Sequence, residues 1–383
     1  MKSVLALMLT ITLFSTGMAA LEDAPSADLG QNAALRYWTA FALMSVPSSE
    51  QDKIIGQWKT APMDDKAAEI IQQNRHALDY LQLAAEVKPC DWGIVQAGPD
   101  TPLPHLGKAR QITRLACLRA RYRFSRGDDV DGVRNLCAVL TLASQCDSGD
   151  SRTLISLLVK CAIQNAVVEA VSARLPRLDA KALKMLISQM DASPQHPDFA
   201  GALRVERKDF LGGFLRLVRG GDLAATQRLL DEMRDEKQIP RDWIPAGNAT
   251  PEMAQQFSRQ LEELDASYEH LIDAAGLPPS EFEGRTAMET KKLAETRNPF
   301  GTWCAPAVVG ARYTSAKAET LMLMLRAAAA IVLEGPESLK NFKDPYGSRP
   351  LEYHAMQSGF ELKSELLDKG RPVTLTVGGQ STK

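Results

Sequence analysis

The chain has 383 residues, with 45 Lys and Arg against 47 Asp and Glu, a formal charge of -2 and 45% hydrophobic residues. A near-neutral balance with no basic run argues against nucleic acid as the main partner. The hydrophobic content is that of a globular protein with room for one large domain or two ordinary ones. Aromatic residues are only 6%, and Ala, Leu, Glu, Lys, Arg, Gln and Met dominate, so the fold is expected to be mainly α.

Met1-Lys2-Ser3 is a basic start, Val4 to Phe14 an apolar run, and Ser15 to Ala20 a stretch rich in small residues. That order is the pattern of a cleavable secretory signal. Cleavage is expected after Ala19 or Ala20, giving a periplasmic or secreted protein of bacterial type. The apolar run is shorter than the roughly 18 residues that cross a bilayer. Leu321 to Leu333 is also too short and is interrupted by Arg326, so no stable membrane span is expected after cleavage.

Helical spacing of Leu35, Trp38 and Ala42 predicts a first helix over Gln31 to Val46, ended by Pro47. Ser49 and Asp52 resemble a capping box for a short second helix. Ile70, Ile71, Leu78 and Leu81 give Asp64 to Val87 the pattern of one long amphipathic helix. Lys88 to Leu106 reads as a loop, because four prolines and two glycines interrupt it. Loops this long are disproportionately functional.

Three helical hairpins are expected next. They pair Gly107–Arg126 with Asp128–Cys146, Ser151–Arg174 with Leu178–Asp191, and Pro197–Val218 with Asp222–Arg234. Successive hairpins suggest a solenoid-like, tetratricopeptide-like helical repeat, although no strict period is present. Lys237 to Ala249 is a second loop and a candidate sub-boundary. Thr250-Pro251 starts a helix running to about Ala275. Ser280 and Glu283 suggest a capping box for another, and Pro306 to Glu334 reads as a long apolar helix. From Asp344 onward, period-two alternation between glycine turns predicts a small antiparallel β-meander over 344–383. The expected domains are therefore a leader over 1–20, a helical body over 21–343 and this tail.

The site candidates lie in and beside the long loop. Asp91, Trp92, His105 and Arg110 cluster if the loop folds over the start of its helix. Trp92 and His105 would then contact a ligand while Asp91 orients the imidazole. The competing reading makes Trp92 a core plug and His105 a cap. At about 100° per residue, Arg110, Arg114 and Arg121 share one narrow face. That face is either an anion-binding stripe or a solvated one.

The six cysteines lack zinc-site spacing. Cys117, Cys137 and Cys161 are expected level in one buried layer. Cys90 and Cys304 both sit in loops beside tryptophans, and a bridge between them is the preferred disulfide. The histidines are scattered, and no metal, nucleotide or nucleophile motif is present, so no cofactor is expected. Asp129 to Gly132 matches only half a calcium loop. Glu262 and Glu263 are neighbours on a helix and face apart, unlike the converging pair of a glycosidase.

The run Cys90 to Asp128, the run Ser151 to Val167 and the tail Lys343 to Ser364 resemble uncharacterised exported helical proteins of planctomycete and verrucomicrobial bacteria. The tail is similar to the "DP-aromatic-G" β-tail of that group and, more loosely, to the C-terminal turn-and-strand region of pseudopilins. The pseudopilin methylation site and long first helix are missing. The resemblance implies an exported protein and carries no residue roles. The leading functional expectation is a non-catalytic scaffold that binds a protein or cell-envelope component. The alternative is a hydrolase acting on polysaccharide or peptide.

Overall fold

The computed structural model describes residues 31–95, 98, 101–149, 152–192 and 198–379. The expected leader lies outside them. The described residues form fourteen α-helices followed by one three-stranded antiparallel sheet.

Helix α1 (Ala33–Ala42) is capped by Asn32, whose side chain accepts from Ala34 N, and is shorter than its periodicity suggested. Helix α2 (Ser49–Gly56) does begin with a capping box. The pair is Ser48 and Gln51, one residue before the expected Ser49 and Asp52. The single helix expected over 64–87 is two helices, α3 (Asp65–Gln73) and α4 (Arg75–Ala85), broken at Asn74. The buried Asn74 side chain donates to Ile70 O (2.9 Å) and Ser45 Oγ (2.9 Å) and accepts from Ser45 N (3.0 Å). A distant partner thus replaces helix continuation with a side-chain bond, as short polar residues do at helix ends.

Helix α5 (Pro104–Ser125) starts with Pro104 in its first turn, three residues earlier than expected, so His105 is helical. Helix α6 (Asp129–Cys146) follows across Gly127, whose φ of 79° requires glycine. Next come α7 (Leu154–Val171), α8 (Ala180–Asp191) and α9 (Phe199–Val205). A π-helical turn over Glu206–Leu211 then joins α9 to α10 (Gly212–Arg219). Helix α11 (Leu223–Asp235) is capped by Asp222, and α12 (Pro251–Asp273) by Thr250. Helix α13 (Pro279–Glu295) begins at Pro279 without a side-chain cap, so the box expected at Ser280 and Glu283 does not form. Helix α14 (Pro299–Glu334) runs 36 residues and carries Pro306 inside it.

Helix α7 is long and apolar enough to cross a membrane by length and composition, with mean hydropathy 1.7, and 67% of it is buried in the fold. The Leu321 to Leu333 run lies within α14. There Arg326 grips Asp191 with two bonds, of 2.7 and 3.1 Å.

The tail is a meander of β1 (Glu352–Met356), β2 (Gly359–Asp368) and β3 (Arg371–Val377), in the order β1-β2-β3. Phe360, Leu362 and Leu366 of β2 and Val373, Leu375 and Val377 of β3 are buried, which is the alternation that made the strands legible. Asp344, 2% exposed, organises the turn before them. Its carboxylate accepts from Tyr346 N (3.1 Å), Ser364 Oγ (2.9 Å) and Glu365 N (2.7 Å). Bonds to a buried carboxylate contribute roughly 1.5–3 kcal/mol each. A Cβ at Gly347 would stand 2.9 Å from that carboxylate, so the Asp-Pro-aromatic-Gly sequence is a device for burying one charge.

The chain folds into two compact units. The first comprises Ile94–Pro102 and Leu203–Arg312, the second Asn32–Gly93, Leu103–Ala202 and Tyr313–Lys383. The divisions fall inside α9 and α14 rather than at 237–249 or at 344. The tail belongs with helices of its own unit because Gly378 N donates to Ser172 O (3.1 Å) and Lys317 pairs with Asp368 at 2.6 Å. Loop 237–249 stays on α11 through Arg234 Nη2, which donates to Pro245 O (3.0 Å).

Candidate functional site

The long loop enters the second unit as a plug. Trp92 is buried and donates its Nε1–H to Gln145 O (2.9 Å). Its ring stacks on Tyr37 (5.6 Å), Phe41 (6.1 Å) and His105 (4.5 Å) and meets Trp38 edge-on (6.0 Å). The Tyr37 hydroxyl donates to Gln145 Oε1. Asp91 does not orient His105. Its Oδ1 accepts from Gly93 N (2.9 Å), while its backbone exchanges bonds with the Asn32 side chain (2.9 and 2.7 Å).

His105 is 0% exposed, and neither ring nitrogen has a hydrogen-bond partner among the described residues. Burial lowers its pKa from 6.5 to about 4, so the imidazole is neutral, enclosed and without a proton relay. The sign of its pH effect follows directly. Between about 6.5 and 4 the unfolded chain binds a proton that the folded chain refuses. Stability is therefore complete above the upper value and falls as pH drops through this window. The expected loss is about 3 kcal/mol. Urea unfolding at both ends of the window reads it, and His105→Leu is expected to remove this component. An unchanged pH profile in that variant contradicts the assignment.

The arginine stripe divides. Arg110 and Arg114 are exposed, and Arg121 is half-buried. The Arg121 guanidinium donates to Trp58 O and to Ala61 O (3.2 Å), closing the segment after α2, and burial lowers its pKa. Arg121 is thus a structural clamp. Arg110 and Arg114 remain surface cations on α5.

A different set of cations borders a concave surface in the first unit. The π-helical turn carries Arg207 and Lys208, and Arg204 lies one turn before. With Gly212, Asp265 and Ile272 they line an open cleft of about 260 Å³. Arg207 is bidentate to Asp265, at 2.7 and 2.7 Å, and reaches Glu269 at 2.9 Å. The Asp265 hydrogen bond, more than any other cause, holds its pKa above the ordinary guanidinium value. Asp265, Glu269 and Ile272 stand at i, i+4 and i+7 on α12, one face of that helix. Arg204 and Lys208 are exposed and make no ion pair among the described residues. The long loop touches the same turn from within this unit. A Cβ at Gly98 would lie 3.5 Å from Gly213 Cα and 3.7 Å from Asp209 O, and Gly98 has a φ of +77°. π-Turns within helices occur often at functional sites. Helical periodicity contains no sign of this one, although the i, i+3, i+4 cations were legible.

A second polar group that periodicity hid lies in the core of the other unit. Lys160 on α7 pairs with Asp147 at 3.0 Å, with side-chain exposures of 6% and 2%. Burial, only partly offset by Lys160, raises the Asp147 pKa. Asp147 Oδ1 and Gln164 Oε1 have no partner there.

The remaining sequence candidates resolve simply. The carboxylate of Asp129 is bidentate to Arg174 (2.9 and 3.1 Å), and Asp131 pairs with Arg123 and Arg134, so these groups are committed to arginines. Glu262 faces Arg219 while Glu263 faces Asn298 and Thr296, so the two carboxylates diverge. Among the described residues no three His, Cys, Asp or Glu side chains gather as a metal site. Cys117, Cys137 and Cys161 are buried thiols, and Cys117 faces Ala166 O at 3.8 Å. The expected Cys90–Cys304 bridge is not formed, and the two residues belong to different units. No family model, curated protein or solved structure matches this chain.

Proposed function

We propose that this protein is an exported, non-catalytic helical scaffold that binds an anionic group of a protein or cell-envelope partner. The carrying observation is the cleft along the π-turn. Its lining has three cations and one carboxylate, and that carboxylate is occupied by Arg207, which leaves Arg204 and Lys208 to a ligand. A cationic concavity attracts carboxylate or phosphate groups. The reading of the helices as a degenerate solenoid belongs to this proposal. It is supported by the run in which α5 packs on α6 and α7, and α6 on α7 and α8. Export rests on the basic-apolar-small leader and on the resemblance to exported bacterial proteins. The geometry does not favour a hydrolase centred on His105, because that imidazole is sealed beneath Trp92.

The test measures binding of a poly-glutamate peptide and of phosphatidylglycerol vesicles, with phosphatidylcholine vesicles as the neutral control. Arg204→Ala with Lys208→Ala is expected to weaken binding about tenfold or more, the equivalent of one or two charge-assisted bonds. Peptide binding alone identifies a protein partner, and vesicle binding alone an envelope lipid. Unchanged affinity in the double variant contradicts the proposal.

A further inference from the structure

Residues Val87 to Trp92 run along the C-terminal end of α6, and Gln145 holds both ends of that segment. Its side-chain Nε2 donates to Val87 O (3.0 Å), and its main-chain oxygen accepts from Trp92 Nε1 (2.9 Å). Ala33 N donates to Pro89 O (2.9 Å), and Asn32 is bonded twice to the Asp91 backbone, which fixes the opposite edge. Cys90 lies between the clamped positions, and Cys146 follows Gln145 in the chain. After burial, the charges of Cys90 and Cys146 are the causes that raise the Tyr37 pKa, and Cys90 also raises that of Cys146. The Tyr37 hydroxyl is the one bonded to the Gln145 side chain that also holds Val87 O.

We propose that Cys90 and Cys146 are a disulfide-forming pair that locks the tryptophan plug onto the end of α6. The geometry separates Cys146 from the other cysteine on its helix. Cys137 lies nine residues earlier on α6, about 13 Å along the axis. Cys304 belongs to the other unit.

The chemistry is thiol–disulfide exchange with an external disulfide, supplied here as oxidised glutathione. Half-buried Cys90 is the point of entry, and Cys146 is fully buried. The Cys90 thiolate attacks one glutathione sulfur, forming a mixed disulfide and releasing one glutathione thiolate. The Cys146 thiolate then attacks the Cys90 sulfur and releases the second. Two protons pass from the protein thiols to the released thiolates. Two protein thiols are oxidised, and one external disulfide is reduced to two thiols. Burial pushes the Cys90 thiol up to about 12, so the reaction is slow near neutrality and accelerates with pH.

In the test, the folded full chain is incubated with oxidised glutathione, alkylated in denaturant and digested without reductant. The expected product is one peptide pair joined through Cys90 and Cys146, with Cys117, Cys137, Cys161 and Cys304 alkylated. Cys90→Ser is expected to return Cys146 as an alkylated residue. Closing the chain between these positions is expected to raise the melting temperature by roughly 5–10 °C, reversibly with reductant. Recovery of both cysteines alkylated from the oxidised wild-type chain overturns the assignment, as does Cys90 joined to any other cysteine.

Discussion

Replacing Lys160 with methionine is expected to destabilise the protein by about 3–5 kcal/mol in urea unfolding at neutral pH. The substitution leaves the Asp147 carboxylate buried without the Lys160 ammonium that pairs with it at 3.0 Å. The loss comes from that stranded charge rather than from missing volume, since methionine fills a similar space. Two consequences distinguish the causes. Asp147 already has a raised pKa in the native protein. A carboxyl group raised in this way contributes stability at low pH that is lost as pH climbs through its folded value. Removing Lys160 raises that value further, so the penalty is expected to shrink as the solution is acidified. Adding Asp147→Leu is expected to recover most of the lost stability, because two apolar residues can replace a buried pair at little cost. A single variant as stable as the wild type contradicts the burial of this pair.

The second large effect is expected at Trp92. Trp92→Ala removes the ring that stacks on Tyr37, Phe41 and His105. It also leaves Gln145 O without the indole donor. Truncating a buried aromatic of this size costs about 3–5 kcal/mol. Trp92→Phe keeps most of the packing and loses the single hydrogen bond, for about 1 kcal/mol. Thermal and urea unfolding report both values. Affinity for the poly-glutamate peptide is expected to stay unchanged in Trp92→Phe, because Trp92 belongs to the second unit and the cationic cleft to the first. If Trp92→Ala unfolds like the wild type, the plug reading of the loop fails.

Local features were legible in the sequence because their causes are local. The paired helices on either side of Gly127 and of Gly220-Gly221, the helix start at Thr250-Pro251 and the alternating strands of the tail all formed close to where their residues placed them. The turn before the tail was legible as a motif, but its physics was not, because two of the three donors to Asp344 come from β2 about twenty residues later. Elements fixed by distant partners were missed. Asn74 breaks a periodic helix because Ser45 is within reach. The π-turn sits where Arg207 is pinned to Asp265, 58 positions away.

The site candidates show the same division. Trp92 and His105 do come together, as the loop composition suggested, yet they close a core rather than open a pocket. Arg121 shares a helical face with Arg110 and Arg114, but carbonyl oxygens from the segment after α2 claim it. A wheel diagram contains one helix and not its neighbours. Lys160 and Gln164, four residues apart on an apolar helix, were the readable trace of the buried polar stripe. Their partner at the end of α6 was not readable.

The most direct measurement is a parallel titration of the wild-type chain, Arg204→Glu with Lys208→Glu, and Arg110→Ala with Arg114→Ala. Each is titrated against the poly-glutamate peptide and phosphatidylglycerol vesicles at low and at physiological salt. A cationic docking cleft requires binding by the wild type that weakens with salt. Binding should be lost on charge reversal at the cleft and retained when the α5 arginines are removed. No binding by the wild type, or equal binding after charge reversal, would contradict it.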